Sequence, residues 1–353
     1  MVYLGVDLHR KLSHVVALDA AGELVLERRF ANSRAAFERL FGELEPEPIE
    51  IAFEATYGWG WFADLLADAG LPAHMAHPLA TKAIAAGRVK NDSVDARTLA
   101  HLLRTNLLPE AWIAPPDVRE ARRLVRMRVS LVRMRSRLKT QVHALCADAG
   151  VPIAVSDLFG RAGRSLLDGL ELRSLSAGRL AASLRLIDDL GREIAAADRE
   201  IHDLYRGDER IRRLVPIPGI GFLAAATIVA EIGDATRFPT PEQLTSWAGL
   251  TPTERSSADH TRRGHISKQG SRWLRWIMVE AAARAGGAPG LRAFAEPIAA
   301  RRGNRIARVA LARRLLTLAF YALRDPEGCR AYPPVRRSTR PVKARSANVM
   351  ASA

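Results

Sequence analysis

Cysteine is scarce in this sequence: only Cys146 and Cys329 occur among 353 residues, and they stand far apart. Two distant cysteines exclude a disulfide framework and a CxxC metal site. The sequence also lacks a run of about 18 apolar residues, which a membrane-spanning helix needs. The first residues, MVYLGVDLHRK, carry charges where a signal peptide has an apolar core. We therefore expect a soluble, cytoplasmic protein with no membrane partner.

Acidic residues are fewer than basic ones, and their distribution is uneven. The chain has 53 Lys and Arg against 38 Asp and Glu, a formal net charge of +15. Residues 1–111 hold eleven basic and fifteen acidic residues, so the positive excess lies entirely in the rest of the chain. Such an excess favours a polyanionic partner, with nucleic acid first and a membrane surface second. No Lys-rich amphipathic anchor supports the second alternative.

The first 110 or so residues alternate between strand and helix patterns. Apolar stretches bounded by turn residues predict strands at 3–9, two within 13–32, and others at 48–56 and 71–78. Helical spacing predicts helices at 33–44, at 58–70 and from Asp92 onward. This order predicts an α/β domain.

A long helical region follows the break at APPD, residues 114–117. Leucines recur every seven residues with methionines between them, which predicts a coiled-coil seam of Leu124, Met127, Leu131, Met134, Leu138 and Leu145. Nine basic residues lie between Arg119 and Lys139, either as a solvated helix face or as a polyanion contact. A second seam runs through Leu190, Ile194, Ala197, Ile201 and Leu204. We expect these helices to pair with each other or with another subunit.

The remaining sequence contains a glycine turn and a basic tail. The segment LVPIPGIGFLAAATIVAEIGD predicts a helix-hairpin-helix, whose amides at Gly219 and Gly221 would contact phosphates. An ordinary glycine turn is the alternative. The tail from Pro333, rich in Pro, Arg and Ser, is expected to be disordered.

Four carboxylates stand out in the acidic part of the chain. Asp7 lies on the first predicted strand, Glu54 near the end of the fourth, and Asp92 and Asp95 start a helix. Helix capping alone would explain the last two. If the first and fourth strands are neighbours, however, all four acids would cluster, and Mg²⁺ would remove their repulsion. Two such ions clamp the attacking and leaving oxygens in phosphodiester displacement.

Two blocks of sequence carry a resemblance to a known family. The ordered acids and the phrase VKNDSVDARTLAHLL, with Lys90 and Asn91, resemble the DEDD insertion-sequence transposases, to which the Piv-type DNA invertases are related. The block LTSWAGLTPTERSSADHTRRGHISKQGSRWLRWIMVEAA is similar to that family's C-terminal transposase domain. The resemblance implies a ribonuclease H-like (RuvC-like) N-terminal fold with Mg²⁺ held by Asp7, Glu54, Asp92 and Asp95.

The resemblance also implies a serine nucleophile and nucleic-acid partners. Ser257 matches the family serine, with Ser256 as the second candidate because Ala258 stands where the family has glycine. The implied partners are donor and target DNA, a structured guide RNA and other copies of the chain, as a dimer or tetramer, associated with a prokaryotic nucleoid. We expect nucleic acid to be contacted by residues of the basic part: Arg122, Arg126, Arg133, Arg137, Gly219, Gly221, Arg262, Arg263, Lys268, Arg272 and Arg275.

The predicted fold class is α/β plus α, in four parts. They are a metal domain at 1–112, a basic coiled-coil region at 113–210, a mostly helical transposase domain at 211–328 and a tail at 329–353. The predicted function is DNA strand cleavage and transfer by a transposase. A junction-resolving metal nuclease with a structural serine is one alternative, and a nucleic-acid-binding protein without enzyme activity is another.

Overall fold

The computed structural model describes most of the chain, namely residues 1–44, 46–84, 92–257 and 260–324. Within these ranges the side chains of residues 255–257 and 260–263 are not described. Lys90, Asn91 and Ala258 lie outside the described residues, as does the predicted tail. The chain divides into two compact units, Met1–Asp117 and the part from Val118 onward. The further division predicted at residue 210 stays a prediction.

A five-stranded mixed sheet forms the centre of the first unit. Its strands are β1 (Val2–Leu8), β2 (Leu12–Leu18), β3 (Leu24–Ala31), β4 (Ile49–Glu54) and β5 (Ala73–Ala76), in the order β3-β2-β1-β4-β5. β1 is antiparallel to β2 and parallel to β4, with Val6 opposite Phe53. The α/β prediction and the neighbouring positions of the first and fourth strands are therefore confirmed.

Helices cover both faces of this sheet. They are α1 (Arg34–Leu44), α2 (Trp59–Asp68), α3 (Pro78–Ile84) and α4 (Asp92–Arg104), of which the sequence pattern did not predict α3. On one face Val6 and Phe53 pack with Phe37 and Phe62 of α1 and α2. On the other face α4 contributes small buried residues, including Ala96. The two faces follow the period-two alternation of β1 and β4.

Gly5 explains how closely α4 approaches the sheet. A Cβ atom on Gly5 would lie only 1.9 Å from the carbonyl oxygen of Ala96 and 2.7 Å from the amide nitrogen of Ala100. The backbone of α4 therefore rests directly on β1, which only glycine permits at this position. Asp7 follows two residues later on the same face, so α4 begins close to its carboxylate.

The second unit is mostly helical, as predicted. Its helices are α5 (Pro116–Asp148, which starts just before the unit boundary), α6 (Arg161–Asp168), α7 (Ser174–Leu204), α8 (Glu209–Leu214), α9 (Phe222–Ile232), α10 (Pro241–Trp247), α11 (Arg272–Ala285), α12 (Pro289–Arg302) and α13 (Asn304–Arg324). A β-hairpin of β6 (Pro252–Ser257) and β7 (His260–Ile266) interrupts them. Within the described ranges, no helix combines the length and the apolar character that a bilayer span requires.

The long helices α5 and α7 pack against each other. Arg128 of α5 forms an ion pair with Asp198 of α7 at 2.6 Å, and Val142 and Cys146 share an apolar cluster with residues of α7. Ile194, Ala197 and Ile201 of the second predicted seam are buried. These contacts confirm the pairing of the two helices within one chain.

The first predicted seam does not form the buried stripe of α5. Burial instead follows Ala121, Val125 and Val129, which are spaced by four residues, whereas Met127 and Met134 are 47% and 48% exposed. Val and Ala at helical spacing make the intramolecular contact, because they let neighbouring helices approach closely. The coiled coil itself stays a prediction.

Candidate active site

Three side chains able to bind a metal converge where β1 ends and α4 begins. They are Asp7, the penultimate residue of β1, His9, just beyond that strand, and Asp92, the first residue of α4. One ligand atom from each lies within 4.8 Å of the others. His9 Nε2 is 3.0 Å from Asp7 Oδ2 and 3.3 Å from Asp92 Oδ1. Capping would explain acids in the first turn of α4, but it does not explain why Asp92 meets His9 and Asp7.

Asp7 is the buried member of this group. Its residue is 8% exposed, and its Oδ2 atom receives no hydrogen bond of normal geometry from the described residues. Burial is the main cause that raises the pKa of Asp7; His9 lowers that pKa, and the charges of Asp92 and Asp95 raise it. A buried carboxylate close to other carboxylates is costly, and a cation would remove that cost. The site therefore fits a divalent metal ion.

The two remaining predicted acids lie near this group without belonging to it. Among the described residues, the 4.8 Å cluster contains neither Asp95 nor Glu54. Asp95 stands one helical turn after Asp92, and its charge acts on Asp7. Glu54 ends β4, one residue beyond the Phe53 that pairs with Val6, so its position in the ladder is next to Asp7. The roles of both as metal ligands stay predictions.

Glu27 on β3 fixes the start of α4, which the sequence pattern did not indicate. Its carboxylate accepts a hydrogen bond from the Ser93 hydroxyl and one from Arg97 at 3.3 Å, and His14 Nε2 lies 3.0 Å away. The Ser93 hydrogen bond, followed by that of His14, holds the pKa of Glu27 below its usual value. Glu27 therefore stays ionised and connects the first turns of α4 to β2 and β3.

His9 was also missed, although the sequence contained a signal for it. Alternate residues on an extended chain share a face, so a His two positions after Asp7 is placed to reach the same ligand. The threonine after β4 adds support, because Thr56 Oγ1 donates a 3.0 Å hydrogen bond to the Leu8 carbonyl. That bond connects the ends of β1 and β4 beside the site.

The predicted serines lie at the end of the β-hairpin in the second unit. Ser257 is the last residue of β6, opposite His260, and Ser256 is opposite Thr261. The backbone of the hairpin thus presents both candidate serines next to its turn. Their side chains, with those of Arg262 and Arg263, lie outside the described part of the structure. Their roles stay predictions.

Comparison with known proteins identifies the group to which the chain belongs. A family model for the DEDD domain of IS110-type elements, described as "Transposase", matches residues 4–149, and one described as "Transposase IS116/IS110/IS902 family" matches residues 211–295. The chain belongs to the IS110/IS116 transposase family. The first match contains every predicted carboxylate, and the second contains both serines.

Curated relatives agree with this membership of the IS110/IS116 family. A "Probable family 20 transposase" of Pseudomonas aeruginosa is 28% identical over 286 residues, which is 79% of this chain and 82% of the relative. The transposase of the element IS1111A of Coxiella burnetii is 24% identical, over 79% of this chain and 76% of the relative. An IS110 protein of Streptomyces coelicolor is 28% identical, over 92% of this chain and 94% of the relative.

Two glycines bring together the two blocks of sequence that flank the hairpin in this IS110-type chain. A Cβ on Gly249 would lie 2.3 Å from the Gln269 carbonyl oxygen, and one on Gly270 would lie 1.7 Å from that of Trp247. Both glycines also have positive φ, as does Lys268 at 56°. The AGL and SKQG segments therefore pack backbone against backbone and fix the base of the serine hairpin.

Three of the basic residues expected to contact nucleic acid have partners within the chain, and their contacts with nucleic acid stay predictions. Arg122 donates to the carbonyls of Ala230 and Glu231, and Arg126 forms two hydrogen bonds of 2.6 and 2.8 Å with the buried Glu231 carboxylate. Arg275 donates to the carbonyls of Ala248 and Gln269. Burial lowers the pKa of Arg122 and of Arg275. These three arginines support the fold of the IS110-type second unit.

Other expected contacts remain on the surface. Arg137 and Lys268 are exposed, and the guanidinium groups of Arg133 and Arg272 each lie 4.8 Å from the ring centre of Trp273. Cation–π contacts of this kind hold a guanidinium in place while leaving its N–H groups available to a phosphate.

The glycine turn between α8 and α9 has one packed and one open glycine. A Cβ on Gly219 would lie 2.2 Å from the Ala281 carbonyl oxygen, whereas, apart from its two chain neighbours, none of the described residues has an atom within 4 Å of a Cβ on Gly221. Gly219 therefore has a packing role against α11. Gly221 leaves the N-terminus of α9 accessible to a phosphate, and this contact stays a prediction.

Proposed function

We propose that this chain is the transposase of an insertion element and that it cuts and rejoins DNA strands through a phosphoserine intermediate in an Mg²⁺-dependent reaction. The observation that carries the proposal is the convergence of Asp7, His9 and Asp92, in which Asp7 is buried and its Oδ2 lies 3.0 Å from His9 Nε2. Membership of the IS110/IS116 family supports DNA as the substrate.

The carboxylates would hold the metal, since Mg²⁺ prefers oxygen ligands. Asp7 and Asp92 are the proposed direct ligands, and Glu54 and Asp95 complete the acidic set. When bound, the ion supplies positive charge to the phosphate oxygens of the strand being cut. His9 Nε2 lies between the two close carboxylates, 3.0 Å from Asp7 Oδ2 and 3.3 Å from Asp92 Oδ1.

Ser257 is the proposed nucleophile, with Ser256 as the second candidate. Its Oγ forms a bond to phosphorus as the bond from phosphorus to the leaving sugar oxygen breaks, and the hydroxyl proton passes to a base. The phosphoserine ester then conserves the energy of the broken bond. A DNA hydroxyl attacks the ester in the reverse sense, which rejoins the strand and restores the serine. Exposed cations near the hairpin, such as Lys268, would hold the phosphate.

The proposal includes the partners that the family resemblance implies. Donor and target DNA would be bound by a dimer or tetramer, together with a structured guide RNA. The surface arginines of α5 and α11, Arg133, Arg137 and Arg272, favour such polyanions through phosphate contacts. Treatment of the purified complex with ribonuclease should abolish DNA cleavage if a guide RNA is needed.

Covalent trapping tests the central step. The full chain, with its co-purified RNA, is mixed with Mg²⁺ and labelled DNA that carries the element junction, then denatured and separated by size. A labelled protein–DNA adduct is expected in the wild type and in Ser246→Ala, a matched serine of α10. The adduct should be absent in Ser257→Ala and in the presence of EDTA.

Two other outcomes would change the assignment. An adduct that survives Ser257→Ala but disappears in Ser256→Ala would move the nucleophile by one residue. Cleaved DNA without any adduct, unchanged in both serine variants, would replace the transposase proposal with the junction-resolving nuclease, in which water attacks the phosphate.

A further inference from the structure

A basic cavity lies directly beside the carboxylate site in the first unit. It has a volume of about 380 Å³ and is lined by His9, Arg10, Lys11, Leu12, Arg29 and Asp92. Three of these residues are cations, although this part of the chain is acidic as a whole. His9 and Asp92 belong both to the cavity and to the metal-binding group.

The turn that carries two of these cations is held by several hydrogen bonds. The His9 amide donates to the Leu12 carbonyl at 3.1 Å, and the Asn32 amide donates to the Lys11 carbonyl at 2.9 Å. The Asn32 side chain also donates to the His9 carbonyl, and its own oxygen accepts a 2.6 Å hydrogen bond from the buried Ser13 hydroxyl. Arg10 and Lys11 are therefore presented by a fixed backbone.

The cavity cations differ from other arginines of the first unit in their partners. Arg28, Arg34 and Arg97 each form an ion pair, with Glu43, Asp68 and Glu27. In the described part of the chain, no carboxylate lies within ion-pair distance of Arg10, Lys11 or Arg29. Three cations line the cavity with a single carboxylate, Asp92, so its lining has an excess of positive charge that a bound anion would offset.

We propose that Arg10, Lys11 and Arg29 bind the DNA backbone phosphate next to the one that is cut. This inference rests on the proposed function, because the carboxylate site defines where cutting occurs. Carboxylates repel a DNA strand, so a metal site of this kind needs nearby cations to hold the neighbouring phosphate. Guanidinium groups suit that task, since their N–H groups match two phosphate oxygens at once.

Neutral-phosphate scanning tests the inference. In EDTA, the binding of the full chain to element-end DNA is measured by fluorescence anisotropy, with one methylphosphonate placed at each position in turn. We expect the wild type to lose affinity about tenfold when the phosphate adjacent to the cut is neutral, as for a lost charged hydrogen bond. The variant Arg10→Gln/Lys11→Gln/Arg29→Gln should bind the neutral and the normal DNA equally.

Arg28→Gln is the matched control, because Arg28 precedes Arg29 on β3 but pairs with Glu43. It should keep the wild-type profile, and thermal melting should show that all variants are folded. The inference is overturned if the triple variant keeps the wild-type profile, if Arg28→Gln loses it equally, or if the sensitive phosphate is remote from the cut. It is also overturned if the triple substitution weakens the binding of RNA and leaves the binding of DNA unchanged.

The same scan separates this inference from the proposed function. A wild-type chain that fails to cut DNA in Mg²⁺ but shows one sensitive phosphate, lost in the triple variant, would overturn the proposed function. The phosphate contact of the cavity would still stand in that case.

Discussion

In the first unit, charged side chains at the sheet edge lie next to groups of their own sign, whereas in the second unit many arginines bind the chain's own carbonyls and carboxylates. Asp7 and Asp92 approach each other through His9, and Arg10 and Lys11 share one cavity. Arg122, Arg126 and Arg275 instead have internal acceptors. In the first unit, like charges are thus brought together at one edge of the sheet, whereas these arginines of the second unit make contacts that stabilise the fold.

Because of this difference, the net charge of a segment does not identify the surface that binds nucleic acid. Counting residues places the whole positive excess after residue 111. The cations of the cavity beside the candidate active site nevertheless belong to the acidic part of the chain. The affinity for nucleic acid should accordingly depend less on the buried arginines than their number implies. Substitutions in each unit can break or sharpen this contrast.

The largest effect is expected from the loss of a proposed metal ligand. Asp92→Asn should weaken Mg²⁺ binding and reduce DNA cleavage by about 10³-fold, since a bound metal contributes several kcal/mol to charge stabilisation. The Asp92 side chain is 46% exposed, so the fold should persist. Titration calorimetry with Mg²⁺ or Mn²⁺ and a cleavage assay measure both effects. Glu38→Gln on α1 is the control, and equal metal binding in both variants would contradict the assignment.

The next largest effect is expected at Gly5, where β1 contacts the backbone of α4. In Gly5→Ala the new methyl group would meet the backbone of α4, which cannot rotate away as a side chain does. We expect a loss of about 3 kcal/mol in the free energy of unfolding, at the upper end for overpacking, together with weaker Mg²⁺ binding. Chemical denaturation and calorimetry measure the two quantities.

Gly42→Ala is the matched control for this substitution. Gly42 lies on the exposed side of α1, and, apart from its chain neighbours and the backbone of its own helix, no described residue has an atom within 4 Å of the place that an alanine methyl group would take. Alanine should therefore be neutral or stabilising by up to about 1 kcal/mol at this position. If Gly5→Ala behaves in the same way, the close approach of α4 does not position the carboxylates.

The sequence predicted much of the fold and part of the site. Apolar alternation and helical spacing gave the strands of the sheet and α4, because burial on one face follows these periods directly. The proximity of Asp7 and Asp92 could be predicted for the same reason, since their elements were correctly assigned. Glu27 was missed because its partners, Ser93 and Arg97, are more than sixty residues away, and local patterns do not encode such pairs.

The partners of the arginines could not be predicted either. Arg126 and Arg133 occur in the same basic helix with the same spacing to apolar neighbours, yet one meets the buried Glu231 and the other lies over Trp273. Which cation is internal depends on how α9 and α11 pack beside α5. Periodicity predicts the buried stripe of one helix but does not identify its tertiary neighbours.

A smaller effect should separate structural from nucleic-acid-binding arginines. Glu231 is 1% exposed and accepts hydrogen bonds from Arg126 and from Ser271, the latter at 2.7 Å. Glu231→Gln should lower the free energy of unfolding by about 2 kcal/mol, less than for a fully buried pair because Arg126 is 40% exposed. DNA affinity, measured by anisotropy on the folded variant, should change little.

Glu209→Gln is the control for Glu231→Gln, because Glu209 is an exposed carboxylate that also pairs with an arginine. Glu209 and its partner Arg212 are 60% and 65% exposed, so its loss should change the free energy of unfolding by less than about 1 kcal/mol. Equal destabilisation by the two substitutions would mean that the Arg126 contact adds nothing to stability.

The smallest effect concerns the pH dependence of stability without metal. Burial raises the pKa of Asp7 above its unfolded value, so the folded chain retains this proton at a pH where the unfolded chain has lost it. The resulting stability is fully present below the unfolded pKa, about 3.9, and is lost as pH rises through the folded pKa. Asp7→Asn removes the titrating carboxyl group and with it this loss of stability at high pH. In EDTA at pH 7 the variant should therefore melt at a higher temperature than the wild type. The difference in melting temperature should shrink toward pH 4. Mg²⁺ should reverse the order, because only the wild type gains stability from binding. If the difference in melting temperature between the two proteins is the same at every pH, burial of the ionised Asp7 carboxylate does not destabilise the fold, and the cost that a metal would remove is absent.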